Sequence, residues 1–352
     1  MWAPFPRHGR GFIARNIDAD SCAVAHSVVM LARRSLLASS AALASLGAVP
    51  VRAADGFAGF VAGLRAEARR GGISDYTLQQ ALGGLLPNAK VLELDRHQPE
   101  FTMTWDRYRA TRVSEQRIAN GREALRQSRG WVQAAASRFG VDPGVIVGIW
   151  GLESNYGGYT GGFGVVEALA TLAWEGRRAS FFRPELLSAL RILDHGDVTT
   201  ARMTGSYAGA MGQPQFMPSS YRRYAVDLDG DGRRDIWDSR ADVLGSIANY
   251  LARSGWRAGE PWGQEVRVPP EFDASLAGRE NRRSLGEWMR LGVTPGRGGR
   301  FARPDAPAAL VMPDGAGGEA FVTFANFGVI RRYNPSDYYA LAVGLLGDAV
   351  AA

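Results

Sequence analysis

The chain has 352 residues, 46% of them hydrophobic and 22% charged, which is ordinary for a soluble globular protein with room for two or three domains. Its formal net charge of +6 invites a nucleic-acid partner, but residues 1–53 hold six Arg and only two Asp. The remaining 35 basic and 33 acidic residues nearly balance. A mildly basic body suits a polyanionic polymer and equally suits nothing in particular, so no nucleic acid is expected. The single cysteine, Cys22, lies near the start, where it offers the rest of the chain neither a disulfide nor a thiolate metal site.

Residues 1–29 are irregular and uninformative. From Met30 the chain reads as a secretory leader: Arg33-Arg34, a short apolar run from Leu36 to Val49, then small residues around Ala53. The leader is placed at 1–54, with export by a Sec or twin-arginine signal and a periplasmic mature chain. The run is too short for a permanent membrane anchor. Cys22 is not followed by a mature domain in lipoprotein fashion, so no lipid anchor is expected.

Residues 55–139 read as an N-terminal helical domain. Phe57, Phe60, Val61 and Leu64 make one apolar stripe. Ser74-Asp75 opens a second helix, and a long one spans about Ser114 to Phe139. Between them Phe101 to Tyr108 is aromatic and expected to be partly extended.

The next stretch holds the candidate for chemistry. Asp142 is a good N-cap, Pro143 fits the first helical position, and Gly157-Gly158 supplies a stop. Ile146, Ile149, Trp150 and Glu153 fall on one face of the helix between, so its only carboxylate lies on an apolar side. Such burial disfavours a carboxylate and suits a general acid. The plainer reading is a Glu at a fraying end that points to water. Gly144, Gly148 and Gly151 weaken the helix but admit close backbone approach.

The Gly157–Gly164 loop lacks the Lys and the strand-to-helix context of a phosphate loop. Arg177 and Arg178 place two cations after a helix, either as a solvated end or as contacts for acidic groups of a ligand. Pro184 to His195 reads as an amphipathic helix. Gly205 to Tyr221 is too rich in Gly, Pro and Met for plain helix. Its mixture of Ser206, Gln213 and Gln215 with Met211, Phe216 and Met217 suits a groove of apolar faces and fixed amides, or else a buried connector.

Asp227-Leu228-Asp229-Gly230-Asp231-Gly232, with Asp235 and Asp238, has the spacing of an EF-hand calcium loop. One structural Ca²⁺ or similar cation is expected on Asp227, Asp229, Asp231, the Arg233 carbonyl, Asp235 and Asp238. Asp238 is one methylene shorter than the usual Glu, so Asp242 is a candidate to complete the shell. Arg234 stands where an apolar residue is usual. The alternative is an empty acidic turn neutralised by Arg233 and Arg234.

Alternating segments at 264–268, 309–312 and 320–324 mark a small β subdomain at 261–324. A final helix runs from Asn334 or Ser336 to about Val350. Residues 140–260 and 325–352 then form one core. No internal repeat is seen, and no appended repeat module is expected. His97 and His195 fall outside every motif, which leaves a Ser-His-Asp arrangement or a zinc site without support.

Trp150-Gly151-Leu152-Glu153-Ser154-Asn155-Tyr156-Gly157 resembles the catalytic signature of the lytic murein transglycosylase B family. Gly205 to Tyr221, the Asp227–Asp238 loop followed by Ile247 to Leu251, and Tyr333-Asn334-Pro335-Ser336 with Tyr338 to Val343 resemble its other motifs, in order. The resemblance covers the chain from about residue 56 onward. It implies a mainly α fold with a lysozyme-like core, peptidoglycan glycan strands as substrate, and a monomer needing no cofactor for its chemistry. It implies Glu153 as the lone acid and base. The C6 hydroxyl of N-acetylmuramic acid then acts as nucleophile and closes a 1,6-anhydro ring without water. It also implies Ser206, Gln215, Tyr250, Tyr333, Asn334, Tyr339 and Tyr108 as groove residues, with Arg177 and Arg178 near the cleft. The rivals are a hydrolytic muramidase and a silent wall-binding scaffold.

Overall fold

The computed structural model describes residues 51–96, 103–296, 301 and 303–352, with side chains described from Gly56 onward. The expected leader lies outside the described residues up to Pro50. Among the described residues no helix is long and apolar enough to cross a membrane.

Helix α6 (Pro143–Ser154) lies at the centre. Asp142 Oδ1 caps it by accepting from Val145 N at 3.1 Å, and Pro143 occupies its first turn. Burial extends beyond the face of Ile146, Ile149, Trp150 and Glu153: Gly144 to Gly151, Glu153 and Ser154 are all buried, and Leu152 is half-buried. Val145-Ile146-Val147-Gly148-Ile149-Trp150 carries no polar side chain on any face, so the helix can be enclosed on all sides. Its neighbours are α5 (Glu115–Phe139), α10 (Arg240–Arg253) and above all α13 (Asp337–Ala351). Glycines set the α6–α13 distance. A Cβ on Gly148 would stand 2.3 Å from the Val343 carbonyl, and one on Gly347 would stand 2.4 Å from that of Gly144.

The N-terminal part comprises α1 (Val51–Arg70), α2 (Asp75–Leu82), α3 (Ala89–Arg96) and α4 (Trp105–Arg112). Ser74 and Ser114 cap α2 and α5 as their sequences predict. Of the stretch expected to be partly extended, Phe101 and Thr102 lie outside the described residues, and Trp105 to Tyr108 is the first turn of α4. Next come α7 (Val165–Glu175) and α8 (Ala179–His195); the latter begins one turn before Pro184. Strands β1 (Phe163–Gly164) and β2 (Thr204–Gly205) pair antiparallel, which brings the loop after α6 to the Gly205 segment. Helix α9 (Pro218–Tyr224) starts at Pro218, inside the stretch read as non-helical.

The later strands form one antiparallel sheet in the order β4 (Arg282–Ser284), β6 (Pro307–Val311), β7 (Ala320–Thr323), β3 (Gly263–Arg267), β5 (Thr294–Pro295). One face buries Val266, Leu310 and Val322 with Leu285 and Trp288 of α11 (Leu285–Arg290) in a core of their own. Val311 and Phe321 join the main core instead. The alternation of β6 and β7 thus divides between two cores, as a half-buried sheet requires. Edge strands β4 and β5 carry no apolar alternation, which hid them from the sequence pattern. A further helix, α12 (Ala325–Tyr333), precedes the last helix by three residues.

Candidate active site

Glu153 stands in the last turn of α6, 6% exposed. The Tyr339 hydroxyl on α13 donates to its Oε1 at 2.7 Å. Ser336 caps α13 by accepting from Tyr339 N, which sets that tyrosine in the first turn. Burial, then the nearby Glu153 charge, push the Tyr339 hydroxyl well above its ordinary value of 10. Tyr339 therefore remains a neutral donor at neutral pH.

Left-handed backbone at Asn155 (φ 49°) and Tyr156 (φ 60°) ends α6. Ser154 Oγ accepts from Gly157 N, and the Tyr156 ring meets Trp150 edge-on at 5.6 Å. Gln213 locks this end in place. Its Oε1 accepts from Trp150 Nε1 at 2.7 Å, and its Nε2 donates to the Trp237 carbonyl at 2.7 Å. In the sequence Gln213 stands out only as part of a polar–apolar mixture, with nothing local to mark this role.

Tyr333, Tyr250 and Phe216 form an aromatic layer beside Tyr339. Tyr333 lies 4.6 Å from Tyr250, 5.8 Å from Phe216 and 6.5 Å from Tyr339, the last pair nearly parallel. The hydroxyls of Tyr333 and Tyr250 donate to the carbonyls of Pro214 (2.6 Å) and Arg332 (2.5 Å). Gln215 is 2% exposed with φ 50°, and its Nε2 donates to the carbonyls of Gly212 and Thr160. The polar atoms of these three residues thus organise the backbone around the site. Ser206 is half-buried and accepts from Ala210 N, and Asn334 is buried with its Oδ1 accepting from Ser336 N. Tyr108 is buried, stacked on Trp105 at 6.2 Å and tilted against Tyr338 at 5.6 Å.

Arg177 and Arg178 are placed differently from the expectation of ligand contacts. Both guanidiniums pair with Asp95, whose side chain is 3% exposed, and Arg177 also donates to the Asp95 carbonyl at 2.9 Å. A buried carboxylate needs such partners, and this accounts for both cations without an external anion.

In the acidic loop Asp227, Asp229 and Asp242 each offer an oxygen within 4.8 Å of the others. Gly232 N and Gly230 N donate to Asp227 and hold its carboxyl below the usual range. Burial pushes Asp242 up to about 6, against the pull of hydrogen bonds from Leu228 N and Asp235 N. Asp231, Asp235 and Asp238 stand outside this trio. Asp231 accepts from Arg233 N, Asp235 accepts from Trp237 N and Asp238 N, and Asp238 pairs with Arg202. Arg234 donates to the buried Asp197 at 2.6 Å and lies 5.2 Å over the Tyr221 ring. That anchor explains an arginine where an apolar residue is usual.

Residues 56–348 match the family described as the transglycosylase SLT domain. The chain belongs to this family. It is 36% identical over 292 residues to the membrane-bound lytic murein transglycosylase B of Escherichia coli, covering 78% of each chain. SltB3 of Pseudomonas aeruginosa in complex with NAG-anhNAM-pentapeptide superposes with a TM-score of 0.81 at 46% identity, over 84% of this chain and 79% of that one. The E. coli lytic transglycosylase Slt35 in complex with calcium gives 0.70 at 33% identity, over 85% and 93%. The mainly helical fold with a small sheet is the fold of these lytic transglycosylases.

Proposed function

We propose that this chain is a lytic transglycosylase. It cleaves the β-1,4 bond between N-acetylmuramic acid and N-acetylglucosamine in peptidoglycan and leaves 1,6-anhydromuramic ends. The observation that carries the reading is the buried Glu153 with the Tyr339 hydroxyl on its Oε1. The other carboxylates on and beside α6 and α13 have separate tasks: Asp142 caps α6, Asp337 pairs with Arg279 and Arg331, and Asp348 accepts from Trp262. Hydrolytic glycosidases usually need two carboxylates, whereas one suffices when the substrate provides the nucleophile.

In the first step Glu153 protonates the glycosidic oxygen, the C1–O bond breaks, and the N-acetylglucosamine side leaves as an alcohol. The C6 hydroxyl then attacks C1 and gives its proton to the Glu153 carboxylate. That forms the C1–O6 bond and restores the acid. Tyr339 stabilises the carboxylate between the two transfers as a charge-assisted donor. Such acid–base work contributes about 10²–10⁴-fold. Digestion in ¹⁸O water tests the reading: anhydro ends without solvent oxygen are expected, and labelled reducing ends would make the enzyme a muramidase. A wild-type protein that binds murein without cutting it would be the silent scaffold.

The Asp227–Asp229–Asp242 trio fits one hard cation, since three carboxylate oxygens converge beside the sharp turn at Gly232. Calcium in Slt35 supports that assignment. The ion would brace the loop and takes no part in the chemistry. Export to the periplasm as a monomer, through the leader, accords with a murein substrate.

A further inference from the structure

We propose that Asp314 and Glu319, on the turn joining β6 to β7, are positioning residues for the cleft: they clamp α4 so that Tyr108 is held toward the Glu153–Tyr339 pair. This rests on reading Tyr108 as a groove residue of the proposed transglycosylase.

Helix α4 is eight residues long and its sequence, Trp-Asp-Arg-Tyr-Arg-Ala-Thr-Arg, is mostly polar. Such a helix is marginal on its own. Thr104 is a favoured N-cap type, yet its side chain makes no cap bond. The cap comes from the sheet instead. Asp314 Oδ1 accepts from Trp105 N at 2.8 Å and Oδ2 from Asp106 N at 3.3 Å. A carboxylate there also complements the helix dipole. Glu319, five residues on, accepts from Trp105 Nε1 at 2.6 Å and pairs with Arg109 one turn along α4.

Two carboxylates thus fix α4 in both position and rotation. Trp105 transmits the constraint. It is fully buried, meets Phe321 of β7 edge-on at 5.9 Å and Tyr338 of α13 at 5.4 Å, and stacks on Tyr108. The Tyr108 ring in turn tilts against Tyr338 of α13 at 5.6 Å, one residue from the Tyr339 that donates to Glu153; burial raises the Tyr108 hydroxyl pKa most, Arg112 lowers it, and the Glu153 charge raises it further. The clamp therefore connects the β6–β7 turn to the cleft through two rings.

Kinetics on purified murein strands test this. Tyr108→Ala is expected to raise KM about 5–10-fold with kcat within about twofold, and Asp314→Ala and Glu319→Ala are expected to do the same. Asp314→Ala added to Tyr108→Ala should add no further loss, because both act through one contact. If Asp314→Ala does not fold, Asp314→Asn, which keeps one acceptor for Trp105 N, should show a smaller KM rise. A Tyr108→Ala effect with unchanged KM in both carboxylate variants would overturn the clamp, as would full additivity in the double variant. A wild-type KM for Tyr108→Ala would overturn both the groove role and the proposal, while leaving Glu153 chemistry untouched.

Discussion

Tyr339 and Glu153 meet across the junction of two helices whose spacing is set elsewhere, at Gly148 and Gly347. The hydrogen bond is thus only as good as the glycine seam beneath it. Tyr339→Phe keeps the ring and removes the donor. A bond to a charged group is worth about 1.5–3 kcal/mol, so kcat should fall about 10–100-fold with melting temperature little changed. Wild-type turnover in this variant would remove Tyr339 from the mechanism.

Glu153→Gln preserves the side chain's shape but neither donates nor accepts the required proton. It should fold, still bind murein strands in a pull-down, and lose at least about 10²-fold in turnover. Residual activity near that of the wild type would remove Glu153 from the chemistry.

Gly148→Ala places a methyl 2.3 Å from a backbone carbonyl of α13. Neither helix can yield cheaply, so a loss of about 1–3 kcal/mol is expected from overpacking, with turnover reduced as Glu153 and Tyr339 separate. Gly59→Ala in α1 is the control. Nothing lies within 4 Å of its Cβ, and replacing a helical glycine there should stabilise by up to about 1 kcal/mol. Thermal melts of both variants decide the matter, and equal effects would refute the packing argument.

For the ion loop, calcium at 100 times its dissociation constant should stabilise the native state by about 2.7 kcal/mol. Asp242→Asn should abolish most of that gain, whereas Asp238→Asn should spare it, because Asp238 pairs with Arg202. Calorimetry with calcium and with chelator reads the difference. Identical melts in wild type would argue against any ion.

Alkaline pH should unfold the protein. Burial raises the hydroxyl pKa of Tyr339, Tyr156 and Tyr221 above the ordinary 10. Above pH 10 the unfolded chain releases protons that the native state keeps. The contribution is therefore fully present below pH 10 and is lost as pH rises beyond it, by about 1.4 kcal/mol per unit for each tyrosine. Burial raises Tyr108 and Tyr338 in the same direction, and Lys90 is the only lysine, so tyrosines dominate that window. Tyr156 Oη finds no hydrogen-bond partner among the described residues. Tyr156→Phe should thus flatten the slope without loss at pH 7. A melting temperature unchanged from pH 9 to 11 would contradict this.

The α6 helix was legible because its signals are local: Asp142, Pro143 and the Gly pair sit within a few residues of what they cap. The same holds for Ser114, Ser336 and the turn at Gly232. What the sequence concealed depends on distant partners. Helix α4 takes its cap from Asp314, 209 residues away, and Arg177 and Arg178 find Asp95 some 82 and 83 residues upstream. Apolar periodicity located Glu153 on one face but could not report that every face is covered. The trio in the ion loop was partly readable, since the shortness of Asp238 directed attention to Asp242. Its other departure, Arg234, made sense only once Asp197 was seen beside it.

Enclosure of α6 on all sides carries a consequence for how the enzyme fails. Amide protons on Val147, Ile149 and Trp150 sit in a fully buried stretch and should exchange with solvent only through global opening. The group proposed to transfer protons therefore rides one turn beyond a fully buried stretch of helix. Catalytic decay on heating should then track cooperative melting, with no earlier phase in which a folded but inactive enzyme accumulates.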